Sequence, residues 1–187
     1  MKNKQHIYLN APITLGFVGI CILVLLLDLL TGGYSTDLLF STYGSSLFDP
    51  LMYLRLIGHI FGHVDYNHLL SNMLYILLLG PILEEKYHDK LLYVISITAL
   101  STGIIHNLLQ PNVQLLGASG VVFAFILLAS VTGQEKGIPI TLILVAFFWI
   151  GGEIIEGLSS ADSISQLTHI IGGLTGGIFG MRFKRNN

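Results

Sequence analysis

Residues 114–130 read "QLLGASGVVFAFILLAS", an apolar run that is rich in small residues and carries no charge. Such a run is typical of a membrane segment. Ser119 lies near its start, between Gly117 and Gly120. A serine in a membrane helix is often a small packing residue, but it becomes a nucleophile when a base lies beside it. The other segments of the chain are needed to choose between these two interpretations.

The composition indicates an integral membrane protein. The chain has 187 residues, of which 52% are hydrophobic and 11% charged, and its mean hydropathy is +0.73. Soluble domains carry about 25% charged residues. The net charge of -2 disfavours nucleic acid as a partner, because binding to phosphates needs a basic surface. The single cysteine, Cys21, cannot form an internal disulfide.

Six segments are long and apolar enough to be candidate transmembrane helices, since a bilayer core of about 30 Å needs about 20 helical residues. The first begins after a short polar N-terminus, and we interpret it as a retained helix and not a cleaved signal peptide. The connection at 32–66 is long and patterned, and we expect short amphipathic helices in it at the membrane surface. The sequence therefore predicts one all-α domain over 1–187, with spans at 13–31, 67–83, 91–109, 117–133, 138–157 and 164–181.

The distribution of basic residues predicts the orientation of the chain. Six spans place both termini on one side of the membrane, and Arg55 is the only lysine or arginine predicted on the opposite side. Cytoplasmic loops carry the excess of basic residues, so both termini are predicted to be cytoplasmic. With no targeting presequence recognised, a bacterial plasma membrane is the expected location. The basic residues on the side of the termini are Lys2, Lys4, Lys86, Lys90, Lys136, Arg182, Lys184 and Arg185.

Four polar residues from three segments fall at a similar depth. Counting 1.5 Å per residue from the predicted cytoplasmic boundary places Ser119 roughly 22 Å and His169 roughly 20 Å into the membrane. The same count gives roughly 18 Å for Asn72 and roughly 24 Å for His68. Polar side chains at such depths are candidates for function, because burying them in lipid is unfavourable.

This layer contains the groups needed for acyl transfer. A serine hydroxyl needs a base to take its proton, and a neutral histidine such as His169 suits that task near pH 7. A tetrahedral intermediate needs donors for its oxyanion, which Asn72, His68 and the backbone N–H of Ser119 could supply. No acidic residue falls clearly in the layer, so the sequence favours a Ser–His dyad over a triad.

Glycines predict that the fourth and sixth segments pack closely. Gly172 and Gly176 recur at a spacing of four, and Gly120 and Ala124 have the same spacing in the fourth segment. Small residues allow helices to approach each other closely in lipid. A contact between these faces would bring the serine and the histidine together. Gly117 would let backbone and substrate approach closely.

Four motifs and one glutamate together resemble the rhomboid intramembrane serine proteases, and the resemblance covers all six predicted spans. It implies that Ser119 is the nucleophile, that His169 is the base, and that His68 and Asn72 bind the oxyanion. The motifs are "LRLIGHIFGH" at 54–63, "HLLSNM" at 68–73, "GASG" at 117–120 and "HIIGGLTG" at 169–176, with Glu84 at the end of the second span.

The resemblance further implies that transmembrane proteins are cleaved near the outer membrane boundary, at a small residue in a helix that unwinds easily. Lateral entry between the second and fifth helices, beside Phe147, Phe148 and Trp149, is implied in the same way. Two positions depart from the family. Phe123 replaces a tyrosine that stacks under the histidine, and Leu54 replaces a tryptophan before the arginine.

Other interpretations remain open. A catalytically inactive rhomboid-like protein that binds transmembrane clients is the main alternative, and a small transporter is a weaker one because no repeat is visible. His59 and His63 have a spacing found in metal sites, but we expect them to pack in the first loop with Arg55. Asp28, Glu153 and Glu156 are interpreted as solvated helix ends. No metal or cofactor is expected, and the oligomeric state is left open.

Overall fold

The computed structural model describes residues 8–132, 138–159 and 163–185, and most of these residues are helical. The all-α prediction is therefore confirmed, with one isolated β-bridge in a connection. The helices are α1 (Pro12–Thr31), a π-helical turn (Thr36–Phe40), α2 (Pro50–Gly58), a 3-10 turn (His59–Phe61), α3 (Tyr66–Tyr87), α4 (Lys90–Leu109), α5 (Ser119–Val131), α6 (Ile140–Ser159) and α7 (Ser163–Arg185).

Three helices in the described part of the chain are both long and apolar enough to cross a membrane, namely α1, α3 and α4. Helices α6 and α7 contain 20 and 23 residues, which is a spanning length at 1.5 Å per residue. Helices α3 and α7 continue about one turn beyond the predicted ends at 83 and 181. The count of six spans stays a prediction.

Helix α5 (Ser119–Val131) begins and ends inside the predicted fourth span at 117–133. It has 13 residues, or about 20 Å. Gly117 has a φ of 130° and Ala118 a ψ of 1°, so neither residue continues the helix toward the N-terminus. Thr132 is extended, with φ and ψ of -67° and 136°. Residue 133 lies outside the described residues.

Helices α5 and α7 pack directly backbone to backbone, as the glycine spacing predicts. A Cβ atom on Gly172 would overlap the carbonyl oxygen of Gly120, and one on Gly176 would overlap that of Ala124. The contact thus depends on the absence of a side chain at both α7 positions. Helix α5 is also the centre of the core, where Val121, Ala124, Phe125 and Leu128 are fully buried.

The first connection, residues 32–65, folds back from α1 over the other helices. Gly32 and Gly33, with φ of 62° and 93°, turn the chain at the end of α1. The carboxylate of Asp28 accepts a 3.3 Å hydrogen bond from the N–H of Thr36, so this predicted solvated helix end in fact caps the turn. Helix α2 begins after Asp49, whose side chain accepts the N–H of Leu51 at 3.0 Å.

The side chain of Arg55 is buried in this connection, with 3% exposure. It forms an ion pair with Asp49, donates to the hydroxyl of Tyr43 at 2.8 Å and lies over the Tyr43 ring at 4.5 Å. A buried charge needs such partners, because losing one of them leaves the other uncompensated. The arginine therefore ties α2 to the chain that precedes it.

The first connection also holds the segment that leads into α5. Thr42 and Leu115 exchange two backbone hydrogen bonds of 2.9 Å, and the Thr42 hydroxyl accepts from the Asn107 amide at 2.9 Å. The N–H of Gly44 donates to the carbonyl of Pro111, also at 2.9 Å. The backbone entering α5 is therefore fixed by residues some 70 positions earlier, in the range 42–44, and by α4.

Glu84 joins the end of α3 to the start of α1. Its carboxylate accepts hydrogen bonds of 2.8 Å from the backbone N–H groups of Ile13 and Thr14 and from the Thr14 hydroxyl. Because the first N–H groups of a helix have no partner within it, a buried carboxylate at this point satisfies them with charge-assisted bonds.

Several sequence-based expectations lie outside the described residues. Phe147 and Phe148 are described, are each 70% exposed and contact each other edge to face at 5.5 Å. Some other residues of the predicted entry wall, helix ends and basic side lie outside the described residues, in whole or in their side chains. They are Trp149, Glu153, Glu156, Lys2, Lys4, Lys136, Lys184 and Arg185.

Candidate active site

One cavity of about 340 Å³ brings the four depth-matched polar residues together. Helix α3 contributes two of them, α5 the third and α7 the fourth. Apolar and hydroxyl side chains from α3 and α5 complete the lining. The residues are His68, Ser71, Asn72, Tyr75, Ser119, Val122, Phe123, Ile126 and His169.

Ser119 is the first residue of α5 and is partly buried. The backbone turns sharply just before it, where Gly117 adopts a φ of 130° and its N–H donates to the carbonyl of His59 at 2.9 Å. The N–H of Ser119 is among those at the helix start that lack a partner within the helix. The positive end of the helix dipole lies at the same point, so the surroundings of Ser119 favour negative charge.

Two contacts between α7 and α5 place His169 beside α5. Its ring packs on the ring of Phe123 with centroids 4.3 Å apart and planes tilted by 41°. The preceding residue, Thr168, contacts Gly120, where a Cβ would lie 3.4 Å from the threonine methyl group. Phe123 therefore stacks against the histidine, as expected for a ring at that position one turn after Ser119.

Asn72 and His68 are one turn apart on α3. Asn72 is 6% exposed, and among the described residues its buried Nδ2 has no hydrogen-bond partner. An unpaired buried donor costs about 1–3 kcal/mol, which makes this amide available to an acceptor in the cavity. His68 is partly buried at the start of α3, where Asp65 accepts its backbone N–H at 2.8 Å.

The two glycines of the "GASG" segment lie close to side chains of neighbouring helices. A Cβ on Gly117 would lie 2.8 Å from Cε1 and 2.9 Å from Nε2 of His68, and a φ of 130° is unfavourable for any other residue. A Cβ on Gly120 would meet the methyl group of Thr102 at 3.3 Å. The backbone of α5 thus approaches α3, α4 and α7 more closely than side chains would allow.

The two histidines of the first connection, His59 and His63, contact different groups. His59 contacts the Arg55 carbonyl through Nδ1 and the Thr102 hydroxyl through Nε2, each at 3.2 Å. His63 instead contacts the carbonyl of Phe61. Within the described ranges, no three His, Cys, Asp or Glu side chains are grouped to hold a metal ion.

Comparison with known proteins identifies the family. A family model described as "Rhomboid domain" matches residues 50–186. The chain belongs to the rhomboid family. A rhomboid is a membrane protein, in agreement with the apolar helices.

Relatives of this rhomboid occur in animals and bacteria. It is 33% identical over 137 residues to "Rhomboid-related protein 1" of Caenorhabditis elegans, an alignment that covers 67% of this chain and 38% of the relative. It is 32% identical over 170 residues to "Rhomboid protease GlpG" of Yersinia pestis, covering 86% of this chain and 60% of the relative. The chain thus spans between 38% and 60% of these curated relatives.

Sequence reasoning missed part of the cavity wall. Ser71 and Tyr75 follow His68 by three and seven residues, and Val122 and Ile126 follow Ser119 by the same steps. Residues at these spacings share a helix face, so this signal could have found them. The carbonyl of His59 and the contact of Thr168 had no comparable signal in the sequence.

Proposed function

We propose that this rhomboid is an intramembrane serine endopeptidase that cleaves transmembrane segments of other proteins near the outer membrane boundary. The observation that supports it is the shared cavity of Ser119, His169, Asn72 and His68. The family membership and the name of the bacterial relative, a rhomboid protease, agree with this reaction.

The first chemical step is attack by the serine. His169 takes the proton from the Ser119 hydroxyl as the oxygen bonds to the carbonyl carbon of the scissile peptide. Stacking on Phe123 limits the rotation of the imidazole. Holding the base in one orientation lowers the barrier, because reactive geometry is then present before the reaction begins.

The second step depends on donors to the oxyanion. The Nδ2 group of Asn72 is buried and needs an acceptor, the N–H of Ser119 lies at the start of α5, and the ring of His68 lines the same cavity. Donors fixed in advance stabilise the negative oxygen without reorganisation, and losing one of them typically costs about 10²–10³ in kcat.

The remaining steps return the enzyme to its starting state. His169 gives its proton to the leaving amine, the peptide bond breaks, and an acyl ester remains on Ser119. Water then gives a proton to His169 and attacks the ester, and the serine oxygen takes that proton back as the acid product leaves. A dyad is sufficient for this cycle, which agrees with the absence of an acidic side chain from the described lining.

Substrate access follows from the same proposal. A peptide bond within a helix is shielded by its own backbone, so the substrate helix must unwind before the carbonyl reaches Ser119. The proposal includes a small residue beside the scissile bond, for which a cavity of about 340 Å³ has room. The proposal includes cytoplasmic termini, a bacterial plasma membrane and entry beside Phe147 and Phe148.

The test uses purified protein in detergent and in liposomes with a model transmembrane substrate. Wild type is expected to cut it, and Ser119→Ala and His169→Ala should each lose at least about a thousandfold in kcat. Ser130→Ala is a matched control on the same helix, because its hydroxyl bonds to the Leu127 carbonyl away from the cavity.

The alternative is a rhomboid-like protein that binds transmembrane clients without cleaving them. Wild type that binds the substrate, cuts nothing and is not labelled by a serine-directed fluorophosphonate would support this alternative. Cleavage by Ser119→Ala at the wild-type rate would instead remove Ser119 from the mechanism.

A further inference from the structure

His63 is a buried histidine to which the proposed reaction assigns no role. It lies between the 3-10 turn and α3 and is 1% exposed. Its Nδ1 is 3.1 Å from the carbonyl oxygen of Phe61. Because a carbonyl only accepts, Nδ1 is the protonated nitrogen and Nε2 carries the lone pair. Among the described residues this buried Nε2 has no hydrogen-bond partner.

The ring of His63 contacts the ring of His68 edge to face, with centroids 5.0 Å apart and planes at 64°. His68 also touches the backbone at Gly117, where a Cβ would lie within 2.9 Å of its Nε2. Its own backbone is held by Asp65 at the start of α3. The ring of His68 is therefore restricted by a neighbour from the first connection and by the turn before Ser119.

The ring of His63 contacts its neighbour and is uncharged at neutral pH. Burial and, to a smaller extent, the adjacent His68 together lower the pKa of His63 to about 4, against the opposing hydrogen bond to Phe61. Among the described residues, the other titratable groups facing His68 are Asp65 and His169. A neutral, rigidly held ring at this place limits the rotation of the His68 imidazole without adding to the charge in the cavity.

We propose that His63 is a positioning residue that holds the His68 ring in the orientation from which it donates to the oxyanion. The inference rests on the proposed function. A donor contributes only when it lies about 2.7–3.1 Å from the oxyanion, so a ring that turns away loses the interaction. The unpartnered Nε2 fits this role. In the proposal His63 acts through the contact between its ring and that of His68, and this contact needs no second hydrogen bond.

The test is a double-mutant cycle in kcat and KM. His63→Ala is expected to lower kcat about tenfold with KM unchanged, which is a fraction of the loss for removing a donor. In a His68→Ala background, His63→Ala should have no further effect, because the group through which it acts is absent. His63→Phe keeps the edge contact and should recover most of the wild-type kcat.

Three results separate the outcomes. If His63→Ala lowers kcat equally in the presence and absence of His68, or if His63→Phe is as slow as His63→Ala, the inference is wrong while the proposed function stands. Wild type that cuts no substrate overturns the proposed function and this inference with it. Should alanine unfold the protein, as shown by its thermal midpoint, His63→Asn removes the ring and keeps a donor at the position of Nδ1 for the Phe61 carbonyl, and it should show the same loss that depends on His68.

Discussion

The carbonyl oxygen of His59 accepts a 2.9 Å hydrogen bond from the backbone N–H of Gly117, two residues before Ser119. The imidazole of His59 is itself fixed between the Arg55 carbonyl and the Thr102 hydroxyl. The first connection therefore determines the backbone path of the candidate nucleophile. This relationship connects the buried polar groups of the first connection to the site, so the turn at Gly117 is a backbone position worth testing.

Gly117→Ala is expected to reduce kcat by about a hundredfold or more, a loss similar to that of an oxyanion donor. The new Cβ would meet the His68 ring at 2.8 Å in a backbone conformation of φ 130°. Gly19→Ala in α1 is the control, since its Cβ would meet nothing within 4 Å. Equal cleavage rates for the two variants would contradict a role for this turn.

Gly176→Ala is expected to lower the thermal unfolding midpoint in detergent, because its Cβ would overlap the backbone of Ala124. Overpacking of this kind costs about 1–3 kcal/mol. The adjacent Gly177→Ala meets nothing within 4 Å and should leave the midpoint near that of wild type or raise it, since alanine has the higher helix propensity. If the two substitutions are equally destabilising, close packing of α5 on α7 is not the reason.

Phe123→Leu is expected to lower kcat about three- to tenfold with little change in KM, because a ring-to-ring contact is worth about 0.5–1.5 kcal/mol. The substitution removes the surface on which His169 packs at 4.3 Å. Phe123→Tyr keeps that surface and restores the residue expected from the family, so it should cut at least as fast as wild type. A leucine variant with wild-type kcat would show that stacking does not orient the base.

Acidification is expected to destabilise the fold through His59. Burial lowers the pKa of His59 to about 4, against the opposing hydrogen bond to Arg55, whereas an unfolded histidine titrates near 6.5. Between these values the unfolded state binds more protons, so stability rises with pH. The stability associated with the neutral, buried His59 is fully present above about pH 6.5. As the pH falls toward 4 it is lost, and the free energy of unfolding decreases by at most on the order of 3 kcal/mol.

Unfolding midpoints at pH 7 and pH 5 measure this effect in wild type and in His59→Gln. Glutamine does not titrate, so the difference between the two pH values should be smaller in the variant. An unchanged difference would assign the acid sensitivity to another group, of which His63 is the first to examine because burial lowers its pKa to about 4 as well.

Much of the site could be predicted from the sequence, because its polar side chains are few and their depth can be counted. Ser119, His169, Asn72 and His68 come from three segments, and the structure brings them to one cavity. The glycine spacing also predicted the α5–α7 contact, since backbone contact between helices requires residues without side chains.

The rest could not be predicted because it depends on backbone atoms, which have no sequence signature. The hydropathy of 117–133 does not show that Gly117 leaves the helical region, so α5 was predicted too long. The carbonyl of His59 and the bridge between Thr42 and Leu115 are contacts of the main chain. Counting the rise per residue gives the depth of each residue along a helix. It gives no information on how a connection folds over the helices.

The shortness of α5 has a consequence for engineering. At about 20 Å the helix is shorter than a bilayer core of about 30 Å, so in a membrane the segment leading into it would lie at a depth where no lipid can hydrogen-bond its peptide groups. Such backbone is tolerated only where protein surrounds it, and the first connection supplies those partners. The length of α5 and the length of the first connection are therefore coupled. Adding one turn to α5 after Ser119 would move the serine toward the outer surface, and the first connection would no longer enclose the backbone that precedes it.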